Sequence, residues 1–271
     1  MRVVVDAYGG DNAPFEIIKG AYLASKELGI DITLTGNQSE IERIIKENSF
    51  DFKTELLIVD TDDVISMHDE PTTLLKAHNN SSMALAFKEL SEGRADAFVS
   101  AGSTGAVVSG ATLIVKRING VRRVAIGSIF PTPPKPTLVL DCGANADCTP
   151  DFLQQFAIMG NAYMNAVYGI DKPTIGLLNN GAEEHKGSTL YKETHQLLKN
   201  MNLNFNYNYL IILVTLPAPT VLPPSLIENS VPSSKAIGAI NLTIIETLSP
   251  GITISVPAGN SITPVTSVVL K

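Results

Sequence analysis

Short apolar segments alternate with amphipathic segments through the first 200 residues, and this alternation constrains the fold more than any other feature of the chain. Near-continuously apolar strands separated by helices are typical of a mostly parallel sheet covered on both faces. We therefore predict a three-layer α/β fold. The predicted strands are Arg2–Ala7, Asp31–Thr35, Glu55–Asp60, Asp96–Ser100, Thr137–Asp141 and Thr174–Leu178. The predicted helices are Phe15–Leu28, Glu40–Lys46, Ser82–Leu90, Gly105–Arg117, Asp151–Val167 and Ser188–Lys199.

The composition changes abruptly near Asn200. Residues 201–271 contain half of the 16 prolines but only four charged side chains, namely Glu228, Lys235, Glu246 and Lys271. No helical periodicity is visible there, and the prolines would obstruct inner strands or helices. We predict an α/β domain over residues 1–203 and an irregular, low-charge tail rich in Pro, Ser and Thr over residues 204–271.

Composition also excludes several classes of protein. A net charge of -7 and a pI near 5.1 argue against nucleic-acid binding. Cys142 and Cys148 have no second pair and the four histidines show no paired spacing, so we expect neither a disulfide scaffold nor a metal site. The opening residues show no signal segment and no long apolar run follows, so we expect a cytoplasmic protein.

Two loops that follow strands carry candidate anion-binding residues, because ligands of open α/β sheets bind beyond the carboxyl ends of the strands. After the first strand, paired glycines let a ligand approach the backbone, and Asn12 is predicted to cap the next helix. After the fourth strand, two hydroxyls and a helix start suit phosphate. Each loop alone is also compatible with a plain turn. The candidates are Asp6, Gly9, Gly10, Asp11, Asn12, Ser103, Thr104 and Gly105.

Two later loops add further candidates. Asp141, Gly143 and Asn145 follow the fifth predicted strand and are expected to face the same crevice, although Asx residues also cap and orient turns. Lys186 lies beyond the sixth predicted strand, where an ammonium group would neutralise phosphate or polarise an acyl carbonyl. A solvated surface lysine is the alternative.

Together these loops resemble the bacterial phosphate acyltransferases of the PlsX family over about residues 1–203. The resemblance rests on four segments in the same order: DAYGGDNAP, SSMALAFKEL with RADAFVSAGSTGA, LDCGANADCTPDFLQQFAIMGNAY and GLLNNGAEEHKG. It implies a homodimeric enzyme without a cofactor that transfers a fatty acyl group from acyl carrier protein to inorganic phosphate. The acyl phosphate formed would supply phospholipid synthesis. A fold like that of phosphotransacetylases and isocitrate-type dehydrogenases and peripheral membrane contact are also implied.

The resemblance implies roles for individual residues as well. Lys186 matches the lysine of the family's Glu-Glu-x-Lys-Gly motif and would stabilise the negative charge that develops as phosphate attacks the thioester. The glycine-rich loops, with the hydroxyls of Ser103 and Thr104, would hold the phosphate. Cys142 is not required as a nucleophile, because the thioester is already activated.

The sequence also departs from the family. Ser188 and Thr189 stand where Asn-Glu is common, and few basic residues precede Ser81. After about Asn204 the Asp-Gly-Phe-x-Gly-Asn segment and an amphipathic segment are missing, which we interpret as a divergent replacement or, favoured by the abrupt loss of charge, out-of-frame translation. Two alternative functions follow. One is an inactive remnant that binds anions or carrier protein, and the other is a short-chain phosphate acyltransferase that uses acyl-coenzyme A.

Overall fold

The chain divides into two units in the computed structural model, which describes residues 1–130, 136–179, 187–206 and 267–270. The first unit contains residues 1–124 and the last described strand, and the second begins at Ala125. Most of the predicted tail lies outside the described residues. The two units are considered separately below.

A five-stranded sheet forms the centre of the first unit. The strands of the described residues are β1 (Arg2–Asp6), β2 (Asp31–Gly36), β3 (Leu56–Asp60), β4 (Ala97–Ser100), β5 (Gly127–Phe130), β6 (Thr137–Leu140) and β7 (Ser267–Leu270). The order in the five-stranded sheet is β3-β2-β1-β4-β7, with β1 to β4 parallel and β7 antiparallel beside β4 at the edge, and β5 and β6 form a separate pair in the second unit. The mostly parallel sheet predicted from the sequence is therefore confirmed.

Helices cover both faces of this sheet and follow the predicted segments closely. The helices of the first unit are α1 (Phe15–Leu28), α2 (Gln38–Glu47), α3 (Ser82–Ser91) and α4 (Thr104–Gly110), and those of the second unit are α5 (Pro150–Tyr168) and α6 (Thr189–Lys199). A 3₁₀ turn, Pro71–Leu75, precedes α3, and α4 continues without a break as π-helical turns over Ala111–Lys116. Within the described ranges, no helix combines the length and the apolar character needed to cross a membrane.

The period-two alternation of β1 creates a core on each face of the sheet. Val3 and Val5 pack with residues of α1 and α2, whereas Val4 lies in the opposite core with α3 and α4. The Phe87 and Phe98 rings stack in this second core with their centroids 4.1 Å apart. Burial on both faces explains why β1 is apolar at each position from Val3 to Val5.

Side-chain caps fix where several helices begin. Asn37 accepts a hydrogen bond from a backbone N–H in the first turn of α2, and Ser81 and Ser103 do the same for α3 and α4. Thr149 caps α5, and Pro150 occupies the first helical position. These caps place the starts of α3 and α4 at the ends of the strands or loops that precede them.

The second unit differs from the prediction. Thr137–Leu140 is a strand, but it pairs antiparallel with β5, which was not predicted, and not with the parallel sheet. Thr174–Leu178 contributes only a single bridge, between Ile175 and Phe205, where a full strand was predicted. Apolar runs indicate that a segment is buried but not which partner covers it, so the sequence pattern does not distinguish these two segments from strands of the main sheet.

Gly110 lies where α4 crosses α3, and we expect its replacement to destabilise the fold. A Cβ atom there would lie 2.2 Å from the Phe87 ring, so Gly110→Ala should lower the free energy of unfolding by about 1–3 kcal/mol through overpacking. A Cβ atom on Gly20 in α1 would have no atom within 4 Å, so Gly20→Ala should raise the free energy of unfolding by about 0.5–1 kcal/mol. Urea unfolding of both variants tests this. Equal effects of the two changes would contradict the packing described.

Candidate anion-binding site

A buried carboxylate joins the ends of two neighbouring strands and the start of a helix. Asp6 ends β1 and is 1% exposed. Its Oδ1 accepts hydrogen bonds from Ser82 Oγ at 2.6 Å and from the Tyr8 backbone N–H at 3.3 Å, while its Oδ2 accepts one from Ser100 Oγ at 2.8 Å. Burial raises the pKa of Asp6, and the serine hydroxyls partly offset that effect. The carboxyl group therefore lies beneath the loops, a position that suits support of the site better than direct contact with phosphate.

The two glycine-rich loops meet above Asp6. The Gly102 N–H donates to Ser100 Oγ at 3.0 Å, and a Cβ atom on Gly102 would lie 3.2 Å from Gly9 Cα. A Cβ atom on Gly9 would lie 2.5 Å from Ser100 Oγ and 2.7 Å from Asp6 Oδ2. Only glycine at position 9 permits this approach, because any side chain would push the loops apart.

The start of α4 presents hydrogen-bond donors in the second loop. Ser103 accepts a hydrogen bond from the Ala106 N–H at 3.4 Å, which leaves its hydroxyl hydrogen to donate. Among the described residues, the backbone N–H groups of Thr104 and Gly105 have no hydrogen-bond partner, as is usual in a first helical turn. The continuous helix from Thr104 to Lys116 places its positive end here. These groups suit an anion.

The first loop carries the other predicted residues. Gly10 has a φ of 108°, a conformation that favours glycine, and a Cβ atom there would lie 3.1 Å from Ala101 of the second loop. Asp11 and Asn12 are exposed. The prediction that Asn12 caps α1 is wrong, because Pro14 occupies the cap position without a side-chain hydrogen bond. The loop turns between Asn12 and the helix, so the Asn12 side chain remains at the surface.

The segment between β3 and α3 forms a third side of this arrangement. Thr61 Oγ1 donates to the Asn80 carbonyl at 2.7 Å, and His78 Nδ1 lies 2.7 Å from Asp63 Oδ1. The Ser82 N–H donates to the Asp63 carbonyl at 2.9 Å. These bonds hold the start of α3 in the place from which Ser82 reaches Asp6.

In the second unit, Asp141 organises its own loop. Its Oδ1 accepts hydrogen bonds from the N–H groups of Ile126 at 2.7 Å and Ala144 at 3.2 Å, and its Oδ2 accepts one from the Asn145 N–H at 2.8 Å. These contacts match the alternative in which Asp141 and Asn145 cap and orient a turn. Gly143 is exposed with a φ of 108°. Burial raises the pKa of the Cys142 thiol, which disfavours the thiolate that a nucleophile needs.

The shared crevice proposed for all four loops stays a prediction. The candidates of the first two loops belong to the first unit, whereas Asp141, Gly143 and Asn145 belong to the second. Lys186 lies outside the described residues. An open cavity of about 530 Å³ occurs in the second unit, and no described site candidate lines it; its walls are Pro136, Tyr168, Gly169, Ile170, Asp171 and Lys172.

Three residues that matter to this geometry were not among the candidates. Ser82 and Ser100 hold the Asp6 carboxylate, and Gly102 permits the closest approach of the loops. Ser100 and Gly102 stand within the same strand-end loop as Ser103, so the pattern that selected that loop could have included them. Ser82 is 76 residues from Asp6, and no local pattern indicates the contact.

The fold of the chain is that of a known class of α/β protein. The EutD phosphotransacetylase from Staphylococcus aureus superposes with a TM-score of 0.50, covering 76% of this chain and 66% of that protein. Sequence identity is 17%, so this likeness establishes the fold alone. The fold expected from the family resemblance is therefore confirmed.

Sequence comparison identifies the family. The model of the "fatty acid synthesis protein" family matches residues 1–210, and the chain belongs to that family. A phosphate acyltransferase from Dictyoglomus thermophilum is 46% identical over 201 residues, which cover 74% of this chain and 60% of the relative. A phosphate acyltransferase from Clostridium kluyveri is 43% identical over 202 residues, with 74% and 60% covered. The chain thus spans about three fifths of the length of these relatives.

The raised pKa of Asp6 predicts how stability depends on pH. A folded-state pKa above the ordinary value of 3.8 means that the folded chain holds the proton more tightly. The Asp6 contribution to stability is therefore present below pH 3.8 and is lost as pH rises through the folded-state pKa. Asp6→Asn removes this titration, so its free energy of unfolding relative to the wild type should increase between about pH 3 and about pH 7.

Urea unfolding at a series of pH values tests this dependence. Ser25→Ala is the control, because Ser25 is equally buried and does not titrate. A difference between Asp6→Asn and the wild type that stays constant with pH would show that Asp6 has an ordinary pKa in the folded chain.

Proposed function

We propose that the chain is a phosphate acyltransferase, which transfers an acyl group from a thioester to inorganic phosphate. The close approach of two glycine-rich loops over Asp6 carries this proposal, because it brings the first loop beside the loop that holds Ser103 and the start of α4. Both loops lie within residues 1–210, the stretch that matches the family model. Such hydrogen-bond donors can bind some of the phosphate oxygens and leave another oxygen free to attack the thioester.

The proposed reaction is a direct displacement. An oxygen of hydrogen phosphate attacks the thioester carbonyl carbon, a C–O bond forms and the C–S bond breaks. The thiolate that leaves takes up the proton that the phosphate loses, so the products are acyl phosphate and free thiol. The loops would position the phosphate, and positioning with charge stabilisation supplies most of the rate when the thioester is already activated. A covalent acyl-enzyme is unnecessary, and the raised pKa of Cys142 is in keeping with that.

The finer proposal concerns the acyl donor. By its family resemblance, the donor is a long-chain acyl carrier protein, and the acyl phosphate formed supplies phospholipid synthesis in the cytoplasm. A homodimer and contact with the membrane surface belong to the same proposal.

Incubation of the purified chain with long-chain acyl carrier protein and phosphate tests the activity. We expect acyl phosphate to form, trapped as the hydroxamate, with thioester loss that depends on phosphate. Faster turnover of short-chain acyl-coenzyme A would instead support the short-chain enzyme. Carrier protein bound without any thioester loss would support an inactive remnant.

Lys186 has its own test. If its ammonium group stabilises the developing oxyanion, Lys186→Ala should lower turnover about 10²-fold. Lys192→Ala is the control, because Lys192 is exposed on α6 and belongs to none of the loops. Unchanged turnover in an active preparation of Lys186→Ala would remove this lysine from the mechanism.

A further inference from the structure

Three side chains from three different segments form a hydrogen-bonded cluster beneath the loops. Asp6, Ser82 and Ser100 are each 1% exposed, so none of them is open to a ligand above. Ser82 donates to one carboxylate oxygen at 2.6 Å and Ser100 to the other at 2.8 Å. This cluster, which we call the clasp, ties β1, β4 and the start of α3 together.

The clasp extends into both loops through the backbone. The Tyr8 N–H donates to Asp6 Oδ1 at 3.3 Å, and the Gly102 N–H donates to Ser100 Oγ at 3.0 Å. One carboxylate therefore holds Tyr8 of the first loop directly and Gly102 of the second loop through Ser100. Gly9 fits directly over these groups, with room for a hydrogen atom but not for a methyl group.

We propose that the clasp is a positioning device that sets the spacing of the two loops and thereby the affinity of the site for phosphate. This inference rests on the proposed function and extends it to Ser82 and Ser100. None of the three side chains touches phosphate. They act through the backbone groups of residues 8–12 and 101–105, whose spacing decides whether their N–H groups converge on one anion.

Substitutions in the clasp should weaken phosphate binding and leave thioester binding nearly unchanged. Loss of Ser100 removes the hydrogen bonds to Asp6 Oδ2 and to the Gly102 N–H together. Loss of Ser82 removes one bond and leaves a buried carboxylate partly unsatisfied. Asparagine at position 6 retains an acceptor for Ser82 and gains a donor for Ser100, so it should preserve the spacing that alanine would lose.

The test measures binding of inorganic phosphate by calorimetry, and turnover with phosphate and thioester varied in turn, for Ser100→Ala, Ser82→Ala, Asp6→Asn and Asp6→Ala. We expect the phosphate Kd and KM to rise about tenfold or more in Ser100→Ala and in Asp6→Ala, and less in Ser82→Ala. Asp6→Asn should stay within about threefold of the wild type. The KM for the thioester should change less than twofold in all of them.

Ser25→Ala is the matched control, because Ser25 is also 1% exposed in the first unit and bonds to Thr54 Oγ1 at 2.8 Å, away from the loops. The proposed role of the clasp is contradicted if Ser100→Ala binds phosphate as tightly as Ser25→Ala. It is also contradicted if the thioester KM rises in parallel with the phosphate KM. If Asp6→Ala fails to fold, Ser100→Ala decides the question alone.

Phosphate binding and acyl phosphate formation by the wild-type chain distinguish failure of the proposed function from failure of the clasp proposal. Wild-type chain that binds phosphate but forms no acyl phosphate overturns the proposed function and leaves the clasp to be decided by the Kd values. Wild-type chain that binds no phosphate overturns both. An active wild type with phosphate binding unchanged in Ser100→Ala overturns the clasp only.

Discussion

The hydrogen bonds of one buried carboxylate organise the functional edge of the sheet. Asp6 ends the central strand β1, and parallel pairing places β4 beside it, so the two following loops start from neighbouring positions. Parallel pairing alone does not hold loops in contact, because each could diverge beyond the last ladder bond. The Asp6 carboxylate closes that gap by accepting hydrogen bonds from both sides and from Ser82 of α3.

This arrangement has a thermodynamic cost that helps to explain its chemistry. A buried carboxyl group is unfavourable unless its oxygens are hydrogen-bonded, and the two serines and the Tyr8 N–H supply those bonds. Burial still raises the pKa of Asp6. The hydrogen bonds therefore offset only part of the cost of burying this carboxyl group.

Much of the first unit could be predicted from the sequence, because its helices and strands have clear periodicity. The bounds of α1 match the predicted Phe15–Leu28, and β1 to β4 each begin and end within one residue of prediction. The second unit was predicted less well. Thr137–Leu140 has the same apolar character as the buried parallel strands, yet it pairs antiparallel with a segment whose sequence gives little strand signal.

The loops of the site could be predicted from the sequence, but the side chains that hold them in place could not. Glycines, hydroxyls and strand ends identify loops that suit phosphate, and the loops of β1 and β4 do lie together. The contact of Ser82 with Asp6 depends on how three segments pack, and sequence periodicity carries no information about that. The local role of Asn12 was wrong for a related reason, since the turn before α1 places Pro14 in the cap position.

The central claim is that the loops of residues 8–12 and 101–105 together hold one phosphate ion. Titration of isotope-labelled chain with inorganic phosphate, followed by amide resonances in two-dimensional NMR spectra, tests it most directly. The account predicts saturable shifts that are largest in both loops and share a single Kd. Shifts confined to one loop, or centred elsewhere in the chain, would contradict it.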